Sequence, residues 1–318
     1  MPTFANTDLP FAQHTLADTV TCVGRGLHSG LRVVMSIMPA PANTGIEFVR
    51  RDVTTTDNVI AARWDTVSET RLSTTVSNTS GIRVSTIEHL MAALRAAGID
   101  NARIVLDAPE VAIMDGSAAP FLEMFDQVGL APQAAERQVV VIERPVSIAE
   151  GSATAEFSPS LVPWMDLSID FSDRLIGRQR ISLPFGQRAF ADDIAKARTF
   201  GFEEQLADLK RAGFARGSSL DNAVLISGNK VVNCGGLRYA DEFVRHKYLD
   251  AVGDLSLAGH LVIGHFKGHR SGHRLNNLLL REVFAQGAFT LRPISAVHLQ
   301  WQQFELEQSQ KLAMLSAS

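Results

Sequence analysis

The stretch Phe243-Val244-Arg245-His246-Lys247-Tyr248-Leu249-Asp250-Ala251-Val252-Gly253-Asp254 predicts a helix that could hold a metal ion. Its apolar residues recur at helical spacing, with Asp241 as a candidate N-cap and Gly259 as a candidate end. His246 and Asp250 are four residues apart, so their side chains share one helix face, which Asp254 continues. Such a pair is more often a surface hydrogen bond than a metal site, so a metal would need a third ligand from elsewhere.

A second helix is predicted over residues 85–97, closed by Gly98. Its apolar stripe is wide enough to bury the helix, so the adjacent Glu88 and His89 need partners. His89 is the candidate third ligand, and three protein ligands with an open fourth position are typical of catalytic zinc. Ser85 and Glu88 also match a capping box, which is the preferred interpretation of Glu88 on the residues alone.

A third stretch with candidate chemistry is Gly268-His269-Arg270-Ser271-Gly272-His273-Arg274-Leu275-Asn276-Asn277. Its glycines permit close backbone approach. Taken singly, His273 is best interpreted as a solvated loop histidine, and His265 and His269 belong to the same class.

Together these stretches resemble the zinc-dependent UDP-3-O-acyl-N-acetylglucosamine deacetylases, which commit precursors to lipid A synthesis. The resemblance covers nearly the whole chain, and several blocks in one order are more specific than any one of them. The further blocks that carry it are Gly24-Arg25-Gly26-Leu27-His28-Ser29-Gly30, Pro41-Ala42-Asn43-Thr44-Gly45-Ile46, Ser85-Thr86-Ile87-Glu88-His89-Leu90, Ile113-Met114-Asp115-Gly116-Ser117-Ala118-Ala119-Pro120-Phe121 and Ala197-Arg198-Thr199-Phe200-Gly201-Phe202.

The resemblance implies a ligand set and catalytic roles. The zinc ligands would be His89, His246 and Asp250, a set that also suits Fe²⁺. Glu88 would be the general base that takes a proton from the water activated by the metal. The remaining implied catalytic residues are Thr199, which would stabilise the oxyanion with the zinc, His273, which would act as an imidazolium, and Asp254, which would orient His273.

Substrate contacts are also implied by the resemblance. Lys247 follows a proposed ligand directly, so it should point about 100° away around the helix and not share the metal's face fully. The resemblance implies that it meets the polar head of the nucleotide sugar, where a cation suits a diphosphate or a developing charge. Phe171 matches an aromatic residue that packs on uracil, and Phe200 is a further expected contact. His28 is expected near the diphosphate.

An insertion over residues 199–232 is predicted to contain a helix, turns and then a strand. In the resembled family such a β-α-β insertion forms a passage for the acyl chain. The implied passage residues are Leu206, Ala215, Leu220 and Leu225, each of which ordinary packing would also explain. One departure from the family lies elsewhere: Ser73 stands where many members carry a cysteine near the metal. Hydrolysis should survive this change, because the chemistry uses no thiol.

The fold class predicted is α+β, since short alternating strands such as 31–37 and 102–106 mix irregularly with helices at 85–97 and 117–128. The polar, proline-containing segment 131–137 is the predicted linker between domains at 1–131 and 138–318. The resemblance implies that both domains are two-layer α/β sandwiches of related topology, each with a small insertion, and that their helices pack between the sheets. One ligand would then come from the first domain and two from the second.

Composition indicates an ordinary enzyme. The 318 residues are 46% apolar and 20% charged with a net charge of −4, which gives no basic face for nucleic acid. Two cysteines at unrelated positions fit a reducing compartment. No segment is apolar enough to span a membrane, and residues 1–14 lack the regions of a secretory signal. We expect a cytoplasmic monomer that meets its lipid-tailed substrate, UDP-3-O-acyl-N-acetylglucosamine, transiently at the inner membrane surface.

Two other functions are open at this point. The chain could be a zinc hydrolase of another N-acyl sugar or amide, although the apolar insertion disfavours small substrates. It could also be a nucleotide-sugar binding protein or regulator without catalysis. The joint presence of Glu88, Thr199, Asp254 and His273 argues against mere binding. A dinucleotide site at Gly24-Arg25-Gly26 is excluded, because the third glycine of that fingerprint is missing.

Overall fold

A computed structural model describes residues 11–173 and 175–298. The strands of the first part of the chain are β1 (Ala12–Leu16), β2 (Val20–Arg25), β3 (Arg32–Pro39), β4 (Ile46–Arg50), β5 (Val59–Ala61), β6 (Val67–Glu69), β7 (Thr75–Ser77), β8 (Arg83–Val84) and β9 (Ala102–Leu106). The later strands are β10 (Leu130–Glu136), β11 (Gln138–Ile142), β12 (Val146–Glu150), β13 (Ala153–Ser158), β14 (Trp164–Asp170), β15 (Arg178–Pro184), β16 (Phe200–Phe202), β17 (Val224–Ser227), β18 (Lys230–Val231), β19 (Leu261–Ile263), β20 (His265–His269) and β21 (Phe289–Pro293). The α-helices are α1 (Glu88–Ala97), α2 (Ala119–Val128), α3 (Gln187–Asp193), α4 (Glu203–Arg211), α5 (Glu242–Ser256) and α6 (His273–Ala285), and a short 3-10 helix covers Trp64–Thr66.

Two five-stranded sheets have the same strand arrangement. The first has the order β2-β3-β9-β4-β5 and the second the order β12-β13-β20-β14-β15. In each sheet the only parallel pair joins the third and fourth strands in this order, β9 with β4 and β20 with β14. The fold is therefore α+β, as predicted, and its two halves share a topology that no repeat in the sequence reveals.

The remaining strands form smaller sheets. Their orders are β1-β10, β6-β7-β8, β16-β17-β18 and β19-β11-β21. The insertion is the β16-α4-β17 unit with β18 added, and its parallel β16 and β17 confirm the predicted β-α-β arrangement.

The helices α1 and α5 lie against each other, and α5 and α6 pack on the second five-stranded sheet. Gly253 in α5 allows this contact, since a Cβ at that position would lie 2.0 Å from the Glu88 carbonyl oxygen. Gly98 ends α1 in the left-handed conformation, with φ of 75°, as expected for a helix C-cap. The close contact brings one helix from each half of the chain to the same place.

The segment 131–137 contains a strand that the sequence did not predict, while its role as a linker between domains stays a prediction. Residues 131–136 belong to β10, which pairs antiparallel with β1 and places Pro132 opposite His14. Proline is tolerated here because this sheet has only two strands, so both are edge strands. The division into domains at 1–131 and 138–318 stays a prediction. Residues 1–10 of the first range and 299–318 of the second lie outside the described residues.

The helices predicted at 85–97 and 117–128 exist, but they begin later, at Glu88 and Ala119. None of the described helices is long and apolar enough to cross a membrane. Residues 1–10, most of the stretch that was expected to lack a secretory signal, lie outside the described part of the chain.

Candidate metal centre

Helix α5 presents His246 and Asp250 on one buried face, as the spacing predicted. The His246 Nε2 atom lies 3.3 Å from Asp250 Oδ1, and both side chains are almost fully buried. The neighbouring helix α1 adds His89, whose Nε2 lies 3.5 Å from the same Oδ1 atom. The two imidazole rings meet edge to face at 5.0 Å. Three potential ligand atoms therefore converge within 4.8 Å of one another.

The donor set fits a divalent metal ion. Asp250 Oδ1 is buried and has no hydrogen-bond partner within residues 11–173 and 175–298, which is costly unless a cation binds there. His246 Nδ1 donates to the Ala197 carbonyl oxygen at 3.1 Å, so the Nε2 lone pair is free for a metal. Burial lowers the pKa of His246 to about 3, which keeps the ring neutral. Two imidazoles and one carboxylate suit Zn²⁺ or Fe²⁺.

Lys247 contacts the candidate ligand Asp250, which its position around the helix did not predict; its expected substrate contact stays a prediction. Its ammonium group lies 2.7 Å from Asp250 Oδ2, because the long side chain reaches one turn along the helix. Burial alone would lower the pKa of Lys247, but the Asp250 carboxylate raises it. Burial alone would likewise raise the pKa of Asp250, but His246 and Lys247 hold it well below its usual range. Asp250 is therefore held as a carboxylate.

Glu88 occupies the first turn of α1, next to the candidate ligand His89. Its Oε2 accepts the Thr74 amide at 3.0 Å, while Oε1 lies 3.7 Å from His273 Nε2. Burial raises the pKa of the Glu88 carboxyl group. Such a carboxylate is more basic than an exposed one, which suits a proton acceptor.

The capping-box interpretation of Glu88 is wrong. Ser85 Oγ donates to the Pro109 carbonyl oxygen at 3.1 Å, and the helix starts three residues later, at Glu88. The intervening Thr86 has φ of 56°, so the chain leaves the helical path between the two residues. The Glu88 side chain therefore faces the cluster instead of capping α1.

His273 begins α6 and is buried, so the interpretation as a solvated loop residue is wrong. Its Nδ1 donates to Asp254 Oδ2 at 2.9 Å, and Asn276 Nδ2 donates to the same oxygen at 2.9 Å. Burial alone would lower the pKa of His273, but the carboxylates of Asp254 and Glu88 raise it to about 9. His273 is thus an imidazolium at neutral pH. His265 and His269 serve local structure, since His265 pairs with Asp166 and His269 pairs with Ser168.

An apolar cavity of about 220 Å³ lies between the insertion and the loop that contains His28. Its wall includes all four predicted passage residues together with three other predicted site residues; they are Leu206, Ala215, Leu220, Leu225, His28, Thr199 and Phe200. The Phe200 ring lies 6.2 Å from the His246 ring, which joins the cavity wall to the cluster.

Phe171 is not part of that wall. Its ring packs edge to face on Phe200, with centroids 5.8 Å apart. His28 accepts the Ala215 amide on Nδ1 at 3.3 Å, so it contacts the insertion directly. Ser73 is buried immediately before Thr74, beside the cluster.

Sequence reasoning missed Thr74 and Asn276, which both donate to Asp254. Asn276 lies in the stretch of residues 268–277, four residues after Gly272, but the sequence of that stretch does not indicate a carboxylate partner. Thr74 is 180 positions away from Asp254 in the chain, so no local pattern could have paired them.

The fold and site define a class of protein: an α+β protein with two five-stranded sheets of the same order and a buried His-His-Asp cluster beside a Glu–His pair and an apolar cavity. The model of the LpxC family, UDP-3-O-acyl N-acetylglycosamine deacetylase, matches residues 13–285. The chain belongs to this family.

Curated relatives agree with the family match. A UDP-3-O-acyl-N-acetylglucosamine deacetylase of Shewanella loihica is 46% identical over 276 residues, which cover 86% of this chain and 90% of that protein. The protein of the same name from Phenylobacterium zucineum is 45% identical over 274 residues, covering 86% of this chain and 94% of that protein.

Proposed function

We propose that this chain removes the N-acetyl group of UDP-3-O-acyl-N-acetylglucosamine, the substrate that the names of its relatives specify. The observation that carries the proposal is the convergence of His89, His246 and Asp250 next to Glu88 and His273. The substrate would be a 3-hydroxyacyl form, and the products would be acetate and the free amine, as the committed step of lipid A synthesis.

A metal ion would be held by His89, His246 and Asp250, with Zn²⁺ preferred and Fe²⁺ also suitable. When bound, the ion would polarise the amide carbonyl and lower the pKa of a coordinated water. Lys247 would keep Asp250 ionised and oriented through its 2.7 Å contact with Oδ2, which leaves Oδ1 for the ion.

Glu88 would act as general base through Oε1. Its other oxygen is occupied by the Thr74 amide, so Oε1 is the atom free to accept a proton from the attacking water. As the water oxygen bonds to the acetyl carbon, the proton moves to Glu88. Burial favours this step, because it makes the carboxylate a stronger base.

His273 would act on the other side of the reaction as a proton donor. The imidazolium, held by Asp254 through Nδ1, presents Nε2–H to the oxyanion or to the amine. When the carbon–nitrogen bond breaks, the amine nitrogen takes a proton and acetate leaves. Thr199, in the cavity wall, would contribute to oxyanion stabilisation.

The acyl chain would occupy the cavity of about 220 Å³ lined by Leu206, Ala215, Leu220 and Leu225. The polar head would be held by Lys247, Phe171, Phe200 and His28, as the family resemblance implies. The apolar side chains of this wall would select for the length and volume of the acyl chain. We further propose a cytoplasmic monomer that meets the substrate transiently at the inner membrane surface.

Acetate release by the purified protein tests this function. We expect release from the 3-O-acylated substrate, loss of release after chelation, recovery with Zn²⁺ or Fe²⁺, and much weaker release from the analogue without the acyl chain. Efficient release from the unacylated analogue would favour a hydrolase of other N-acyl sugars. Substrate binding without release by a folded, metal-loaded protein would favour a nucleotide-sugar binding protein.

A further inference from the structure

Thr74 connects the parts of the site that come from the two halves of the chain. It is 1% exposed and immediately precedes β7. All three of its polar groups are hydrogen-bonded. Its amide donates to Glu88 Oε2 at 3.0 Å, its hydroxyl donates to Asp254 Oδ1 at 2.6 Å, and its carbonyl oxygen accepts the Ile87 amide at 3.3 Å.

In each of the two carboxylates, Thr74 binds one oxygen while the other oxygen faces His273. In Glu88, Thr74 holds Oε2 and leaves Oε1 facing His273 Nε2 at 3.7 Å. In Asp254, Thr74 holds Oδ1 and leaves Oδ2 to accept from His273 Nδ1 and Asn276 Nδ2, each at 2.9 Å. A carboxylate fixed at one oxygen cannot rotate freely, so the other oxygen keeps its direction.

We propose that Thr74 is a positioning residue for the deacetylation reaction. It orients the general base through its amide, and it orients the His273 imidazolium through Asp254 by means of its hydroxyl. The inference rests on the proposed function, because it assigns the geometry of the base and of the proton donor. It goes beyond that function in naming the residue that sets both from one point.

The hydroxyl and amide can be separated by substitution. Thr74→Val keeps the amide and the side-chain shape but removes the donor to Asp254 Oδ1, which leaves a buried carboxylate oxygen unpaired. Thr74→Ser keeps both donors. A positioning role therefore predicts that valine impairs turnover while serine restores it, whereas a role in packing alone predicts that serine, the smaller residue, is the more harmful change.

The experiment compares kcat, KM, metal content and the thermal melt of the wild type and both variants. We expect kcat of Thr74→Val to fall about 10- to 100-fold with KM and metal content unchanged, and kcat of Thr74→Ser to stay within about 3-fold of the wild type. Thr75→Val is the matched control, since Thr75 is the adjacent buried residue in β7 and, in the described part of the chain, its hydroxyl group forms no hydrogen bond with Glu88 or Asp254. Its kcat should equal that of the wild type.

A double-mutant cycle with Asp254→Asn tests whether Thr74 acts through Asp254. The effect of Thr74→Val on kcat should largely disappear in the Asp254→Asn background, because the contact is already altered there. Additive effects, an unimpaired Thr74→Val, or an equal loss in Thr75→Val would each overturn the proposal. Should the valine variant not fold, Thr74→Ala removes the same hydroxyl and carries the same comparison. A wild type without acetate release would instead refute the proposed function itself.

Discussion

Among the single residues of the site, Asp250 is distinguished by having both carboxylate oxygens close to side-chain nitrogen atoms. Its Oδ1 faces two imidazole nitrogens at 3.3 and 3.5 Å, and its Oδ2 faces an ammonium group at 2.7 Å. Such a carboxylate is arranged to share its charge with a bound cation. The proposed ligand role of Asp250 and the proposed acid role of His273 lead to different expected results on substitution.

Asp250→Ala should abolish tight metal binding, with an affinity loss of more than roughly 100-fold, because one of three ligands is removed. His273→Ala should keep the metal, since His273 contacts Glu88 and Asp254 rather than the ion. Metal analysis after dialysis distinguishes the two. Asp241→Ala is the control on the same helix, as Asp241 pairs with Arg245. Full metal content in Asp250→Ala would refute the ligand assignment.

The protonation of His273 should set the basic limb of the pH profile. In the proposed mechanism the active form is the imidazolium, and the carboxylates of Asp254 and Glu88, acting against burial, raise the pKa of His273 to about 9. We therefore expect kcat to hold below this pH and to fall as pH rises through about 9. In Asp254→Asn the limb should move to lower pH by about one unit or more, because one negative neighbour is lost. If the basic limb of the pH profile is unchanged in Asp254→Asn, the limb does not report the protonation of His273.

At the scale of elements, the contact between α1 and α5 assembles the site. A Cβ on Gly253 would meet the Glu88 carbonyl oxygen at 2.0 Å and its Cα at 2.9 Å, all of which is helix backbone that cannot yield by a side-chain rotation. The two helices must approach closely for His89 to reach Asp250. The glycine therefore matters to the site without offering any chemistry.

Gly253→Ala should lower the free energy of unfolding by about 1–3 kcal/mol through overpacking and should weaken metal binding, because the helices that carry the ligands are forced apart. Chemical denaturation and metal titration measure the two effects. Gly186→Ala is the control, since an added Cβ there meets no atom within 4 Å. Normal stability and affinity in Gly253→Ala would show that the helices tolerate the displacement.

Some features of these elements follow from local sequence patterns, whereas others depend on long-range contacts that the sequence does not show. The period of α5 predicted that His246 and Asp250 share a face, and both do, because helical spacing is a local property. The strand β10 was missed because its proline and polar residues indicate a linker, and only its long-range pairing with β1 makes it a strand. The assignment of Ser85 as a cap failed because the left-handed Thr86 has no signature in the sequence.

At the scale of the whole molecule, two halves with the same sheet order face each other through their helices. The cluster takes His89 from one half and His246 with Asp250 from the other. A bound metal would therefore link the halves, in addition to the hydrogen bond between Thr74 and Asp254. The family resemblance implied this arrangement, but it could not be read from the residues, because the halves show no sequence repeat.

Metal removal should consequently destabilise the whole molecule. A ligand present at 1,000 times its Kd stabilises the folded state by about 4 kcal/mol, so chelation should lower the thermal midpoint clearly. Differential scanning calorimetry with and without chelator measures the shift. In Asp250→Ala the chelator should have no effect on the midpoint. A wild-type midpoint that is insensitive to chelation would mean that no metal bridges the halves.

The proposed hydrolysis of an amide with Glu88 as general base is tested by measuring metal content and acetate release in parallel in Glu88→Gln. Since Glu88 is not a ligand, the variant should keep the metal content of the wild type. Its kcat should fall about 10²- to 10⁴-fold with loss of the base. Wild-type turnover in metal-loaded Glu88→Gln would show that Glu88 is not the general base.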